Sequence, residues 1–346
     1  MATYYVDPVN GDDNNTGLNA TTEQWATTLY ALNTLSAGDE VRLMNTGTET
    51  LASTLTETTT GTDELPILMV GADSSGDPLT TGHYTISSNG LGADGYTPTL
   101  DYYLWNFVRF TDADATFRNI AETTNTANYH VFNNCRMDNA GSHGITMESS
   151  DWEYRNCEID NNGGMGIDID ALNRASFSMI NCDVHDNDSH GMELAGAGIN
   201  IYGCRIYSNG GSGIYINRYS SRDHINSNIF YNNTSSGIDF IGSEATTFLV
   251  WVFNNIFASN GAYGLKVAST FNIESWFIDN NAYYNNTSNA VDWLGTGYAE
   301  GNINGNGFGD SNVGGDPLFT SVTAGAEDFT LGSGSPCIDV GYGYNG

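Results

Sequence analysis

The sequence predicts an all-β solenoid, a parallel β-helix in which short strands stack coil upon coil. Three observations lead to this fold class. One pattern recurs seven times between His130 and Trp293, every repeat contains alternating apolar and polar residues, and helical spacing is almost absent. A few alternating residues cannot bury an apolar face alone, so a period of 22 to 27 residues indicates units that stack on one another. A leucine-rich repeat is excluded because its leucine ladder is missing.

The repeat is aligned on seven anchor residues, each followed nine places later by glycine or alanine. The anchors are Cys135, Cys157, Cys182, Cys204, Asn228, Asn255 and Asn281. Positions three before and two after the anchor are apolar in all seven repeats. The residues after the glycine alternate, as in Ile167, Asp168 and Ile169, which predicts a short strand with one buried face.

An asparagine stands five places after the anchor in six of the seven repeats. The six residues are Asn162, Asn187, Asn209, Asn233, Asn260 and Asn286. Asparagine tolerates the left-handed backbone conformation of a tight turn. Amides stacked at the strand spacing of about 4.8 Å can also bond to one another along the column. We therefore expect an internal asparagine ladder at a turn.

We expect one domain, since a solenoid grows by adding coils and needs no second core. Its segments are residues 1–45 (an N-terminal strand, a turn and a capping helix), residues 46–295 (the coils) and residues 296–346 (a C-terminal cap). Strands are expected in the first, less regular coils at 40–44, 66–70, 84–87 and 103–110.

The capping helix is expected from a short amphipathic pattern near the N-terminus. Thr21 and Gln24 form a capping-box pair, and Trp25, Leu29 and Leu32 fall on one helical face. A helix at this end would cover the open edge of the first coil, which would otherwise invite aggregation.

The chain is strongly acidic, with 41 acidic residues against ten basic ones and a formal net charge of −31. Such a surface repels nucleic acid and anionic membranes, which excludes both as partners. It also repels a polyanionic glycan unless divalent cations mediate the contact. Ca²⁺ is the expected cation because carboxylate and amide oxygens are its preferred ligands.

Four of the five cysteines occupy one column of the repeat on consecutive coils. Side chains stacked in parallel point the same way, which disfavours the dihedral angle of a disulfide, so we expect free, stacked thiols. The sequence has no apolar run of transmembrane length and no signal-peptide pattern. We expect an extracellular protein whose signal was removed, or a component of a virion released by lysis.

Several segments together resemble the right-handed parallel β-helix superfamily with a pectate-lyase-like fold. They are YYVDPVNGDDNNTG at the start, AGDEVRL at 37–43, the repeated N-C-x-Φ units, and the ending DPLF…GSPCIDVG. The resemblance covers nearly the whole chain. It implies a polysaccharide lyase, a glycoside hydrolase, an epimerase, a phage tailspike or a surface adhesin, and by analogy with tailspikes it allows a homotrimer.

Carboxylates gather at the outward strand positions of neighbouring coils. Glu148, Asp168, Asp170 and Glu193 are expected within about 5–7 Å of their neighbours, from the strand spacing and the two-residue repeat. These four are the candidate metal ligands. The candidate catalytic residues are Asp168, Asp170, Glu193 and Lys266. The candidate substrate-binding residues are His143, His190, Tyr215 and Arg218.

Two chemistries fit this acidic patch. Crowded carboxylates raise one another's pKa, so one could act as a general acid in glycoside hydrolysis. The resemblance to lyases implies instead that Ca²⁺ holds a uronate while a base, Lys266 or Arg218, removes the α-proton. Exposed rings such as Tyr215 and Trp251 could stack on sugars.

The sequence therefore predicts a protein that binds, and in one reading cleaves, polysaccharide. The alternative is a non-catalytic structural or adhesive module, because outward strand positions must be polar in any case and some acidic residues cluster by chance.

Overall fold

The computed structural model confirms an all-β parallel solenoid. It describes residues 1–124, 126–169, 176–195, 198–217, 221–241, 248–268, 276–306 and 309–341, with backbone only for Ser221 and Phe248. Residues 1–178 and 179–346 form two compact units. In each unit a coil passes through three strands, which belong to sheets that we name A, B and C in chain order.

Among the described residues of the first unit, the strands of the three sheets pair in parallel. Sheet A contains Thr3–Val6, Glu40–Met44, Ile67–Ala72, Tyr103–Asn106, Val131–Asn133 and Trp152–Arg155. Sheet B contains Thr48–Thr50, Tyr84–Ser87, Val108–Thr111, Arg136–Asp138 and Glu158–Asp160. Sheet C contains Ile120–Ala121, Ile145–Met147 and Ile167–Ile169. A further strand, Phe177–Ile180, spans the boundary between the units.

The second unit repeats the arrangement. Sheet A contains Ile199–Tyr202, Ser221–Asn226, Phe248–Phe253 and Trp276–Asp279. Sheet B contains Asp183–His185, Arg205–Tyr207, Ile229–Tyr231, Ile256–Ala258, Ala282–Tyr284 and Val313–Gly314. Sheet C contains Met192–Leu194, Ile214–Ile216, Ile238–Phe240, Tyr263–Val267 and Asn289–Trp293, and Thr296–Tyr298 adds an antiparallel strand. A short 3-10 helix, Glu300–Asn302, follows.

The inward residues of the repeat form the core, as the alternation predicts. Ile145, Met147, Ile167 and Ile169 in sheet C of the first unit have no exposed surface. Burying a side chain of this size contributes about 1.5–3 kcal/mol. Because every coil repeats the pattern, the apolar contacts continue from coil to coil within each unit.

Buried asparagines bond from coil to coil, which confirms the predicted ladder. In the second unit the Asn209 amide donates to Asn233 Oδ1 at 3.0 Å, and the Asn233 amide donates to Asn260 Oδ1 at 3.0 Å. The left-handed residue of this turn, however, is the one before the ladder residue, since Asn232 has φ 53°. The two roles separate because the ladder amide must point inward while the left-handed residue points outward.

A second asparagine ladder occupies the anchor column. The Asn228 amide donates to Asn255 Oδ1, and the Asn255 amide donates to Asn281 Oδ1, both at 3.0 Å. In earlier coils the same column holds cysteines. The four cysteines of this column are free thiols, as predicted, and Cys337 is also a free thiol.

The N-terminal helix is shorter than the sequence indicates. It spans Thr28–Leu32, and its N-cap is Thr27, whose hydroxyl accepts from the backbone N–H of Tyr30. The predicted capping box at Thr21 is therefore wrong. Trp25 lies before the helix, where it forms an isolated bridge with Val6 and its buried ring stacks on Tyr4 at 4.6 Å. The segment around Trp25 therefore pairs with the first strand and does not join the helix, although its apolar residues have helical spacing.

The expected strand 103–110 is two strands, since Phe107 has φ 55° and turns the chain from sheet A into sheet B. Strands 40–44 and 84–87 have the expected bounds, and the expected 66–70 is Ile67–Ala72.

A hairpin near the C-terminus, Phe319–Thr323 with Ala326–Leu331, lies against the outward side of sheet B in the second unit. Its Phe329 ring lies 5.1 Å from that of Tyr207 and 5.5 Å from that of Tyr231. Among the described residues, no helix has the length and hydropathy that a membrane crossing requires.

Candidate functional site

In the first unit, the structure brings His143 and Asp168 together at the edge of sheet C. His143 precedes the strand Ile145–Met147, and Asp168 lies on the paired strand beside Thr146. The Nε2 atom of His143 is 3.9 Å from Asp168 Oδ2. These two predicted site residues are neighbours because coils of nearly equal length place corresponding positions one above the other.

The tautomer of His143 follows from its other ring nitrogen. The backbone N–H of Met165 donates to Nδ1 at 3.0 Å, so in the neutral ring Nε2 carries the proton. Burial lowers the pKa of His143, and the Asp168 carboxylate opposes this shift only in part. At neutral pH the ring is therefore a fixed hydrogen-bond donor beside a carboxylate.

The same arrangement recurs in the second unit. The backbone N–H of Ser212 donates to His190 Nδ1 at 2.9 Å, and burial lowers the pKa of His190. Each ring fits because a glycine stands 21 residues later in the sequence. A Cβ at Gly164 would lie 2.7 Å from His143 Nδ1, and one at Gly211 would lie 2.5 Å from His190 Nδ1.

Outward residues of sheet C in the second unit form a second cluster, which we name the acidic column. Its members are in register on successive strands: Glu193, Tyr215, Asp239, Lys266 and Asp292. The Tyr215 ring stacks on His190 with centroids 4.3 Å apart. Burial, followed by the negative charges of Glu193 and Asp239, raises the pKa of Tyr215, so its hydroxyl stays protonated at neutral pH.

Two carboxylates of the acidic column, those of Asp239 and Asp292, each have one oxygen without a protein donor among the described residues. Asp239 Oδ2 accepts from the hydroxyl of Ser212 at 2.5 Å and from that of Ser235 at 3.4 Å. Asp239 is 5% exposed, yet its Oδ1 has no hydrogen-bond partner among the described residues. Asp292 Oδ1 is likewise buried without a partner there. Unpaired buried oxygens of this kind suit a cation or a ligand donor.

Lys266 is the only lysine of the chain. It pairs in register with Asp239 on one side and Asp292 on the other. Its Nζ lies 5.9 Å from the centroid of the Tyr263 ring. Within the described part of the chain, no carboxylate oxygen comes within the 4.0 Å of an ion pair with this amine. Lys266 is thus half-buried, lies in register with two carboxylates, and forms no salt bridge with a described residue.

The remaining predicted residues are distributed as follows. Glu148 lies just after the strand Ile145–Met147, and its backbone N–H donates to Glu122 Oε2 at 2.9 Å. The Asn217 amide donates to Glu193. Asp170 and Arg218 lie outside the described residues. The close approach expected for Glu148, Asp168, Asp170 and Glu193 therefore stays a prediction.

The sequence pattern did not select Asp239 or Asp292 as site residues. Both stand in the outward column that the repeat defines, so the signal was present in the alignment. What singles them out is the unpaired oxygen of each, which only coordinates can show.

Comparison with known proteins agrees with this architecture. Residues 119–288 match the family described as "Right handed beta helix region". No curated protein sequence matches the chain significantly. The solved structure of pectate lyase Pel9A aligns over 99% of this chain and 92% of its own, with a TM-score of 0.70 and 17% identity.

Two alginate lyases are also similar in fold. That of Paenibacillus sp. str. FPU-7 aligns over 83% of this chain and 91% of its own, with a TM-score of 0.50 and 16% identity. The PL6 family enzyme AlyGC aligns over 76% of this chain and 38% of its own, with a TM-score of 0.53 and 13% identity. The strand arrangement, the family match over residues 119–288 and these structural likenesses together show that the chain has a right-handed parallel β-helix fold similar to that of pectate lyase Pel9A.

Proposed function

We propose that this protein binds a uronate-containing polysaccharide along the acidic column of the second unit and cleaves it by β-elimination. The observation that carries the proposal is the position of Lys266, the only lysine, in register between Asp239 and Asp292 without an ion pair to a described residue. A base must reach the substrate, and an amine tied into a salt bridge would be unable to accept a proton.

In this reaction the Lys266 amine takes the proton from the carbon next to the uronate carboxyl group. The electron pair of that C–H bond forms a carbon–carbon double bond, and the glycosidic C–O bond on the neighbouring carbon breaks. The leaving oxygen then takes a proton, for which the Tyr215 hydroxyl is the candidate donor. His190, with its proton on Nε2, would contribute a hydrogen bond to a substrate oxygen.

Ca²⁺ is part of the proposal because the column is acidic and the substrate is anionic. The unpaired oxygens of Asp239 and Asp292 fit a hard cation, and Glu193 of the same column is one of the predicted ligands. The other predicted ligands are Glu148, Asp168 and Asp170. When bound, the ion would neutralise the uronate carboxylate and acidify the adjacent proton.

The fold supports the substrate class. The similar structures named above are a pectate lyase and two alginate lyases, and both names denote enzymes that act on polysaccharides. An extracellular or virion-associated location belongs to the same proposal, because the substrate class is found outside cells.

The test measures unsaturated product by ultraviolet absorbance, and reducing ends in parallel, over polygalacturonate, alginate and neutral glycans. We expect Lys266→Ala to lower kcat about 10²–10⁴-fold with binding retained, as for loss of a general base. Asp239→Asn should weaken uronate binding and abolish its dependence on Ca²⁺. Arg205→Ala, an exposed change on sheet B of the same unit, is the matched control and should leave turnover unchanged.

Reducing ends without unsaturated product would instead indicate a glycoside hydrolase. No turnover on any substrate, with glycan binding that survives the Lys266 and Asp239 changes, would overturn the proposal in favour of a non-catalytic adhesive module.

A further inference from the structure

A row of aromatic rings lies on the outward face of sheet A in the second unit. His224, Trp251 and Phe277 are in register on successive strands, and the residues after them in the chain are buried. The ring centroids of His224 and Trp251 are 4.2 Å apart, and those of Trp251 and Phe277 are 6.3 Å apart with planes only 7° from parallel. We name these three residues the aromatic row.

The neighbouring outward column extends this apolar surface. Tyr202, Asn226 and Phe253 are in register beside the aromatic row, one on each of three strands. Tyr202 is 51% exposed and Phe277 is 57% exposed. Cross-strand aromatic pairs stabilise a sheet, but that role does not require exposed rings. Large contiguous apolar patches on a protein surface often mark binding sites.

This face differs in charge from the acidic column of the same unit. Among the described residues of the second unit, Asp279 is the only acidic residue in these two outward columns of sheet A. Its Oδ1 accepts backbone hydrogen bonds from Asn280 at 3.0 Å and Ser311 at 2.6 Å. Burial lowers the pKa of His224, so its ring is neutral at pH 7.

We propose that the aromatic row and its neighbours bind uncharged saccharide units, at a site separate from the acidic column and independent of Ca²⁺. The C–H faces of a sugar pack on aromatic rings, and the open face of Phe277 and the exposed ring of Tyr202 offer such surfaces. Asn200 lies in register with His224, and Asn226 lies in register with Tyr202. The side-chain amides of both asparagines can form hydrogen bonds with sugar hydroxyl groups.

Charge selects this occupant over the alternatives. The two outward columns hold no lysine or arginine, and the chain has a net charge of −31, so this surface does not attract a polyuronate. A second copy of the chain carries the same charge, so long-range repulsion opposes self-association through this face. Neither of these electrostatic effects opposes the binding of an uncharged glycan.

The experiment is calorimetric titration with xylohexaose, cellohexaose and mannohexaose, with EDTA present throughout. We expect at least one of these hexaoses to bind the native protein. Phe277→Ala and Trp251→Ala should each weaken that binding tenfold or more. Trp251→Phe, which keeps an aromatic ring, should retain most of the native affinity. Lys266→Ala and Asp239→Asn should leave this binding unchanged, which separates it from the proposed cleavage. Far-ultraviolet circular dichroism of each variant verifies folding, and Phe277→Ala is the least disruptive change because that ring is mostly exposed.

Two outcomes would overturn the inference. One is binding to none of the three hexaoses, or binding that persists undiminished in Phe277→Ala and Trp251→Ala. The other is concentration-dependent self-association of the native protein that Phe277→Ala abolishes, which would identify the face as an interface between copies. Neither outcome depends on whether the acidic column cleaves polysaccharide.

Discussion

At the scale of single residues, two glutamates of the first unit are buried against tyrosine hydroxyl groups. The hydroxyl of Tyr84 donates to Glu49 at 2.6 Å, and that of Tyr96 donates to Glu57. Burial raises the pKa of both carboxyl groups, and that of Glu57 reaches about 7. The hydrogen bonds oppose the shift but do not cancel the cost of removing the charge from water.

Glu57 makes stability depend on pH. Its folded pKa of about 7 exceeds the ordinary 4.5, so the native state binds the extra proton between these values. The free energy of unfolding therefore falls as pH rises through this window, and the difference of about 2.5 units corresponds to about 3 kcal/mol. In Glu57→Gln, we expect the free energy of unfolding to fall less between pH 5 and pH 8 than it does in the native protein. Urea unfolding at the two pH values measures this difference.

Glu122→Gln is the control with the opposite sign. Burial raises the pKa of Glu122, but hydrogen bonds from the backbone of Glu148 and from Ser149 and Thr124 outweigh it, so the net shift is downward. The stability it contributes is present above the ordinary pKa and is lost in acid. Equal pH slopes for native protein and Glu57→Gln would contradict the assignment.

Gly211 tests how His190 is held. Gly211→Ala would bring a Cβ within 2.5 Å of His190 Nδ1, so the ring must move and lose the bond from Ser212. We expect the imidazole pKa, followed by NMR, to rise toward its ordinary value, and stability to fall by about 1–3 kcal/mol. Gly301→Ala meets no neighbour and should change neither quantity. An unchanged His190 titration would show that the glycine is not needed.

At the scale of the structural element, each coil depends on turns in which one residue makes buried hydrogen bonds and its neighbour adopts the left-handed backbone conformation. Asn233 is buried and donates to Ile206 O and Asn260 Oδ1, both at 3.0 Å. Asn232, next to it, is exposed and supplies the left-handed backbone conformation. The ladder side chains thereby supply hydrogen-bond partners to buried backbone groups such as Ile206 O.

Substitution of the two asparagines should reduce stability by very different amounts. Asn233→Ala leaves Ile206 O and the Asn209 amide without their bonds, and we expect it to cost about 3 kcal/mol, since a buried unpaired group costs about 1–3 kcal/mol. Asn232→Gly keeps the left-handed backbone and should cost well under 1 kcal/mol. Chemical denaturation of both variants checks this, and equal losses would show that the ladder bonds contribute little.

At the scale of the whole molecule, the net charge of −31 dominates the electrostatics. Repulsion among 41 acidic residues opposes the compact state, and salt screens it. We expect the midpoint of thermal unfolding to rise with NaCl, by roughly 2–4 °C per 1 kcal/mol gained. CaCl₂ at equal ionic strength should raise it further, and Asp239→Asn with Asp292→Asn should remove that excess. A midpoint that is independent of salt would contradict this view.

The fold was predictable because a periodic sequence fixes a periodic structure. The anchors, the apolar columns and the ladder asparagines recur at constant offsets, and the strand bounds of the repeat follow from them. The first coils were harder, since Phe107 and Trp25 carry no repeat signal and their conformations depend on strands far away in the chain.

Some properties of the candidate site were likewise predictable from the sequence, and others were not. The sequence alone determined which residues share an outward column, including Glu193, Asp239 and Lys266, because side chains alternate along every strand. Only the tertiary structure decided which oxygens lack partners, which nitrogen of His190 is engaged, and that Lys266 is held in no salt bridge with a described residue. Those properties depend on ångström-scale distances between side chains on different coils, and a repeat pattern specifies the coil but not the rotamers.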